Sequence, residues 1–249
     1  MKRYTIFAGV NGAGKTSLYN MAFADQAIVG KRINLDEIVR RLGDWRDEKL
    51  QITAGKQAVR FVRQCLKDGV SFHQETTLAG KSIFRTIRDA KAAGFEVVMY
   101  YIGVNSAEIA KERVRTRIQK GGHGVDNALI EKRFFASLEH LKLAIPLCDV
   151  VRIYDNSEES SRYVLLIEQG IIKKCESVLP QWLATALADL KISTMKYKDF
   201  LGSVQYSVED ECYFGKILSI NDLYSYEGSD TIELENAFHE AVDEYLNNK

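Results

Sequence analysis

The stretch "GVNGAGKTS" at residues 9–17 satisfies Gly-x-x-x-x-Gly-Lys-Ser/Thr through Gly9, Gly14, Lys15 and Thr16. Each residue type has a task in holding a polyphosphate. Glycines let the backbone curl so that successive N–H groups, here from Gly9, Asn11, Gly12, Ala13, Gly14, Lys15, Thr16 and Ser17, face the phosphates, and a following helix adds its positive end. Lys15 would neutralise charge on the β- and γ-phosphates, and the Thr16 hydroxyl would ligate Mg²⁺. The chemistry implied is phosphoryl transfer from ATP or GTP. The alternative, a plain glycine-rich turn, fits less well because strand-like "YTIFA" precedes the motif and helix-like "TSLYNMAFA" follows it.

A hydroxyl that attacks phosphorus must lose its proton, and a nearby carboxylate can take it. Asp36 in "RINLDEI" is the candidate base; its other reading is an N-cap for the helix "EIVRRL", and the two roles are compatible. In "VSFHQETTLAG", Glu75, Thr76 and Thr77 are candidates for holding the acceptor, against ordinary strand-end capping. No Asp of the usual magnesium-binding kind ends this strand, so metal binding is assigned to Thr16, with Glu75 or Asp36 assisting through water. Further on, Arg113, Arg117 and Lys120 recur at helical spacing before "KGGHG". Such a stripe reads either as a lid whose cations close over the phosphates or as a solvated basic face. His123 is either a substrate contact or a loop residue.

These residues need a scaffold. Strand-like segments near 32–35, 70–74, 96–103 and 149–154 alternate with helical ones near 15–25, 53–67, 81–93, 105–120 and 127–143. The alternation predicts an α/β fold, a parallel sheet with helices on both faces, and ligands at the carboxyl ends of the strands. Asp36 and Glu75 would both lie there. After that, "YVLLIEQGIIKKC" predicts a hairpin about Gln-Gly, and "LPQWLATALADLK" a helix with Pro180 near its start.

Composition divides the chain. Its 34 basic and 34 acidic residues cancel only overall: 30 basic stand against 22 acidic up to Met195, and 4 against 12 beyond it. No run approaches the roughly 18 apolar residues of a membrane span, and the start reads as a strand rather than a signal peptide. The cysteines Cys65, Cys148, Cys175 and Cys212 are too scattered for a zinc set and suit reduced thiols in a cytoplasmic protein. The basic part lacks interleaved aromatics, so no nucleic-acid partner is expected. Residues 197–207 predict a strand, "VEDE" a turn, "CYFGKILSI" a second strand and "YSYEG" a short third. A helix from about Thr231 would be capped by Ser229 or Asp230 and turn Leu234, Ala237, Phe238, Ala241, Val242, Tyr245 and Leu246 to one side.

Together, "FAGVNGAGKTSLY", "NLDEI", "ETTLAG", "AAGFEVVMYYIGV", "ERVRTRIQKGGH" and "VVRIYDNS" resemble the zeta toxin family of P-loop kinases over 1 to about 190. The resemblance implies an ATP- or GTP-dependent kinase acting on a sugar hydroxyl of UDP-N-acetylglucosamine or a related nucleotide sugar. It implies Asp36 as catalytic aspartate, Lys15 as phosphate-binding lysine, Arg113 with Arg117 as catalytic arginine region, and Glu75 with Thr77 at the substrate-binding strand end. Residues 195–249 resemble the partial RNase-H-like domain of HicB-type antitoxins, an α+β domain of three strands and one helix, joined by a linker at 191–194. Three readings follow: a kinase toxin restrained by its own acidic tail, alone or with a separate antitoxin; an active kinase whose tail binds another protein or forms oligomers; and a nucleotide-binding regulatory module.

Overall fold

The computed structural model describes residues 1–24, 30–44, 46–176, 179–187, 194–207, 210–218, 220 and 222–248. They gather into two units, Met1–Tyr163 and Val164–Lys249. The first is built on five parallel strands. In chain order its elements are β1 (Arg3–Ala8), α1 (Lys15–Ala24), β2 (Lys31–Ile33), α2 (Leu35–Leu42), α3 (Glu48–Asp68), β3 (Phe72–Thr76), α4 (Ser82–Ala92), β4 (Glu96–Gly103), α5 (Ala107–Gln119), α6 (Asn127–Ala144) and β5 (Val150–Asp155).

The strands lie in the order β2-β3-β1-β4-β5. Residues Tyr4 to Ala8 are all buried, as expected of a central parallel strand covered on both faces. Ala8 at the end of β1 pairs with Thr76 on one side and Tyr101 on the other. The chain thus leaves β1 where the strand order reverses, the place where open α/β sheets form a ligand crevice. Phe7, Leu18, Tyr100, Ile102, Val114, Ile130 and Phe134 share one core that packs α1, α5 and α6 onto β1 and β4.

Of the boundaries that differ from those read in the sequence, two have a local reason in α3. α3 starts at Glu48 rather than 53 because the Asp47 side chain accepts the Lys49 N–H and caps it. β3 starts at Phe72 rather than 70 because Gly69 (φ 64°) ends α3 in a left-handed cap and Val70 N–H still bonds the Cys65 carbonyl. The strand therefore runs on through Glu75 and Thr76.

The second unit opens with β6 (Arg162–Glu168), which starts at the boundary, and β7 (Ile171–Cys175). Gln169 (φ 51°) and Gly170 (φ 78°) both adopt the left-handed conformation between them, as a two-residue hairpin turn requires. Next come α7 (Gln181–Leu187), β8 (Thr194–Tyr197), β9 (Phe200–Ser203), β10 (Gln205–Ser207), β11 (Cys212–Lys216), β12 (Ser225–Gly228) and α8 (Thr231–Asn247). Most of this hairpin falls in the second unit, where β7 lies beside β9. Residues 191–193 of the expected linker and 208–209 of the expected turn fall outside the described residues.

The stretch read as one strand, 197–207, is divided. Lys198 (φ 51°) turns the chain so that Tyr197 faces Phe200 in the β8–β9 hairpin, and β10 then joins β11 and β12 in an antiparallel sheet. Asp230 rather than Ser229 caps α8, accepting the N–H groups of Ile232 and Glu233. Leu234, Phe238, Ala241, Val242 and Tyr245 are buried against Ile217 and Tyr226, whereas Leu246 stays 40% exposed. All four cysteines are free thiols, and no described helix is long and apolar enough to cross a membrane.

Phe238 is fully buried at the centre of this small core. Phe238→Ala should cost the second unit about 3–5 kcal/mol. The expected readout is loss of amide protection across α8 and β12 in hydrogen exchange, with β1 and β4 still protected.

Candidate functional site

The loop from β1 to α1 is shaped by its contacts. Gly9 (φ 141°) and Gly14 (φ 104°) take conformations that side-chain-bearing residues rarely adopt. A Cβ at Gly9 would overlap the Ile102 carbonyl, and one at Gly14 would meet the Asn156 amide. Asn156, one residue past β5, donates its Nδ2 to the Ala13 carbonyl at 2.8 Å and braces the loop from outside. Thr16 and Ser17 are exposed in the first turn of α1, while Asn11 and Ala13 are buried.

Lys15 folds back over this loop, its Nζ donating to the carbonyls of Gly9 (2.9 Å) and Val10 (3.0 Å). Burial pushes its pKa down, Glu75 and Asp36 pull it up, and Arg117 and Arg133 push it down again; the outcome is about 8. The ammonium is thus held in a site that disfavours charge. Phosphate oxygens are the partners that would reverse this.

Glu75, at the end of β3, has one oxygen committed and one aimed. Oε1 accepts from Arg32 Nη2 and Asn34 Nδ2, both at 2.7 Å, while Oε2 faces the Thr16 hydroxyl at 3.4 Å. Arg32 also pairs with Glu37 at 2.7 Å and lies over the Tyr19 ring. A hydroxyl and a carboxylate oxygen form a hard donor pair that suits Mg²⁺. Among the described residues no three His, Cys, Asp or Glu side chains gather into a metal cage. Phosphates and water would have to supply the other ligands.

Asp36 does not cap α2. Asn34 does, its Oδ1 accepting the Glu37 N–H at 3.2 Å, because the helix begins two residues earlier than "EIVRRL". The Asp36 carboxylate is thereby left for other work. It is half exposed, with Oδ2 2.9 Å from His123 Nε2 in an approach too oblique for an aligned hydrogen bond. Loss of solvent raises its pKa, but His123, Lys15 and Arg117 outweigh that and hold it below the ordinary carboxylate value.

The basic stripe of α5 divides. Arg117 donates Nε to the His123 carbonyl at 2.9 Å and accepts the Gly122 N–H on its own carbonyl, so residues 121–123 fold back on the helix end. Its Nη2 is buried and, among the described residues, has no partner; the same holds for Arg32 Nε and, in aligned geometry, for His123 Nε2. Arg113 points elsewhere, to the carbonyls of Asn156 (2.6 Å) and Glu158 (3.0 Å). There it lines a cavity of about 440 Å³ with Gly12, Gly14, Ser17 and Asn156. Lys120 is exposed just past the helix.

Two parts of the site escaped the sequence reading. Arg133 on α6 donates to Asn11 Oδ1 at 2.9 Å and shares the field of Asp36 and Lys15. Its signal was an arginine on the buried stripe Ile130, Phe134, Ser137, Leu141, where a charge needs a reason. The second is the brace on the loop after β3, made by Leu78 and His140 beside the expected Thr76 and Thr77. Thr76 Oγ1 accepts the Leu78 N–H at 3.1 Å, Thr77 is half-buried between them, and Leu78 is fully buried at φ 58°. The Leu78 carbonyl accepts from His140 Nδ1 at 2.7 Å, and the His140 ring packs edge-on to Phe84.

The family model described as Zeta toxin matches residues 2–165, ending within two residues of the boundary of the first unit. An uncharacterised Haemophilus influenzae protein is 31% identical over 128 residues, 51% of this chain and 89% of that one. Among solved structures, the AvrRxo1-ORF1:-ORF2 complex with ATP aligns at TM-score 0.58 and 18% identity over 79% of this chain and 66% of that chain. The PezAT chromosomal toxin–antitoxin system of Streptococcus pneumoniae aligns at 0.51 and 15% over 65% and 70%. At such identities the likeness is one of fold. A family model that spans well over half the chain and coincides with a compact unit carries more: this chain belongs to the zeta toxin family.

Proposed function

We propose that the first unit is a kinase that transfers the γ-phosphoryl group of ATP or GTP to a hydroxyl of a small acceptor. The acceptor class implied by the resemblance is a nucleotide sugar, UDP-N-acetylglucosamine or a relative. The observation that carries the reading is the convergence of Lys15, Asp36, Arg117 and Arg133 on one glycine-rich loop, with a buried Nη2 donor on Arg117 that lacks a partner among the described residues. Buried, unpartnered donors are costly unless a ligand completes them. Phosphate oxygens would do so.

In this reading Lys15 leaves the Gly9 and Val10 carbonyls for the β- and γ-oxygens. Asp36 accepts the proton of the attacking hydroxyl as the new O–P bond forms and the β–γ bridge bond breaks. Its lowered pKa keeps it ionised at neutral pH but makes it a weak base, which suits a loose transition state where the proton moves late. Arg117 and Arg133 meet the charge that spreads over the transferred group. Arg113 serves the cavity beside Gly12, where the rest of the nucleotide would lie, and His123 steers Asp36. Bound between Thr16 and Glu75, Mg²⁺ would neutralise phosphate charge. The acidic second unit is the interaction module of the same proposal, HicB-like, either restraining the kinase or receiving a separate antitoxin. Its surplus of carboxylates favours docking to a basic partner.

The roles separate kinetically when labelled ATP is supplied with a panel of nucleotide sugars and the product is identified by mass. Asp36→Asn should retain nucleotide affinity and lose about 10²-fold or more in kcat. Arg117→Ala and Arg133→Ala should each lower kcat by about 10²-fold, whereas Arg113→Ala should mainly raise the nucleotide KM. Near-normal turnover of Asp36→Asn would reject it as the base.

Lys15 gives a pH signature. Its pKa of about 8 in the free protein rises when phosphates surround it, so binding takes up a proton above pH 8. Nucleotide affinity should be flat below pH 8 and fall by up to about tenfold per pH unit above it, and Lys15→Met should bind weakly and without this slope. Calorimetry in buffers of different ionisation enthalpy reads the proton directly.

His140 holds Leu78 in its left-handed conformation. His140→Ala should raise the acceptor KM several-fold while leaving nucleotide affinity unchanged, and His140→Asn, which keeps a donor near Nδ1, should recover part of the loss. Equal effects on both substrates would indicate general unfolding instead.

A further inference from the structure

Arg32 reacts with nothing in the kinase reading, yet it touches three elements of the site at once. It is the middle residue of β2 and pairs in register with His73, which places its side chain on the sheet face shared by His73 and Glu75. Helix α1 covers that face, with the Tyr19 ring packed on both Phe7 and His73. The Arg32 guanidinium lies 4.1 Å from the centroid of the Tyr19 ring. Its Nη1 reaches Glu37 of α2 and its Nη2 reaches Glu75 of β3, both at 2.7 Å. The Arg32 and Glu75 side chains are only 27% and 10% exposed, so each charge depends on a partner.

The arrangement uses what separates arginine from lysine. A planar fork pairs with two carboxylates while offering its flat face to a ring, which an ammonium on a flexible stem does not reproduce. Nor are the partners scattered. Tyr19 follows Thr16 by one turn of α1, and Glu75 carries the oxygen that faces the Thr16 hydroxyl. Arg32 thus ties both of these donors to one rigid group. With Asn34 it also occupies Glu75 Oε1, which leaves Oε2 turned toward Thr16. His73 adds no competing charge: burial first and Arg32 second push its pKa down to about 4 against the pull of Glu75, so the ring is neutral at neutral pH. We propose that Arg32 is a positioning residue that holds Glu75 and α1 where Oε2 and the Thr16 hydroxyl together take a divalent cation. The proposal rests on the reading that these two oxygens help to bind Mg²⁺. Groups that orient a metal's ligands change its affinity about 10- to 100-fold when removed, although they never touch it.

The test uses the full chain with a non-hydrolysable ATP analogue and Mn²⁺ as the probe. The electron paramagnetic resonance signal of free Mn²⁺ reads metal affinity, and calorimetry in EDTA reads nucleotide affinity without metal. Arg32→Gln should weaken Mn²⁺ binding about tenfold or more and leave the metal-free nucleotide affinity unchanged. In turnover, it should raise the Mg²⁺ concentration that gives half the maximal rate, with excess Mg²⁺ restoring much of kcat. Arg32→Lys, which keeps the charge but not the fork, should recover only part of the loss, and it carries the test with less risk to the fold. Glu75→Gln separates the proposal from the reading beneath it. Weaker Mn²⁺ binding in Glu75→Gln but not in Arg32→Gln would overturn the role of Arg32 alone, whereas unchanged binding in both would remove the metal reading and the proposal with it. Equal loss of nucleotide affinity with and without metal would assign Arg32 to general stability, and full recovery by Arg32→Lys would reduce its part to charge; either result overturns the proposal.

Discussion

A cation kept where it is not fully solvated governs the first unit. Lys15 satisfies its ammonium on two carbonyls of its own loop, and that loop keeps its curl only because Gly9 passes under the Ile102 carbonyl and Asn156 reaches across to Ala13. The surrounding charges are arranged about this one. Glu75 and Asp36 favour the ammonium, while Arg117 and Arg133 oppose it. Such a cluster is under-supplied with negative charge, and a polyphosphate brings what it lacks. The sheet sets the stage because β1, β3 and β4 end together at the reversal of strand order, so their carboxyl ends deliver the loop, Glu75 and the underlying Ile102 to one place.

Much of this is legible in the sequence. The glycine-rich motif carries its meaning in residue types and spacing, and the strand–helix alternation needs only local patterns. What the sequence concealed depended on which neighbour took a job first. Asp36 carried two readings, base and cap, and the cap falls to Asn34 two residues earlier. Arg113 and Arg117 looked equivalent at one helical turn apart, but the end of β5 offers carbonyls to the first, while the segment through His123 wraps the second. Arg133 lies far from the motif in sequence and reaches Asn11 only because α6 packs in the same core as α1 and α5. No spacing rule announces such a contact.

The second unit shows the same limit in a different form. Its final helix was readable from periodicity, and five of the side chains expected on the inner face are buried. Its strands were harder, since a left-handed Lys198 turns the chain at a position with no glycine, asparagine or proline to mark it. The β6–β7 hairpin was readable as a hairpin, but the placement of β7 beside β9 was not, because that contact joins segments far apart in the chain.

Asn34 links the two kinds of requirement in one side chain, its carbonyl oxygen capping α2 and its amide nitrogen holding Glu75. Aspartate caps a helix as well as asparagine does, yet it would set a second carboxylate against Glu75 and remove a donor. The substitution would therefore keep the cap and still cost the fold, since a partly buried bond to Glu75 is lost and two carboxylates are brought together. One side chain thus ties the start of α2 to the end of β3, so that neither can shift without the other.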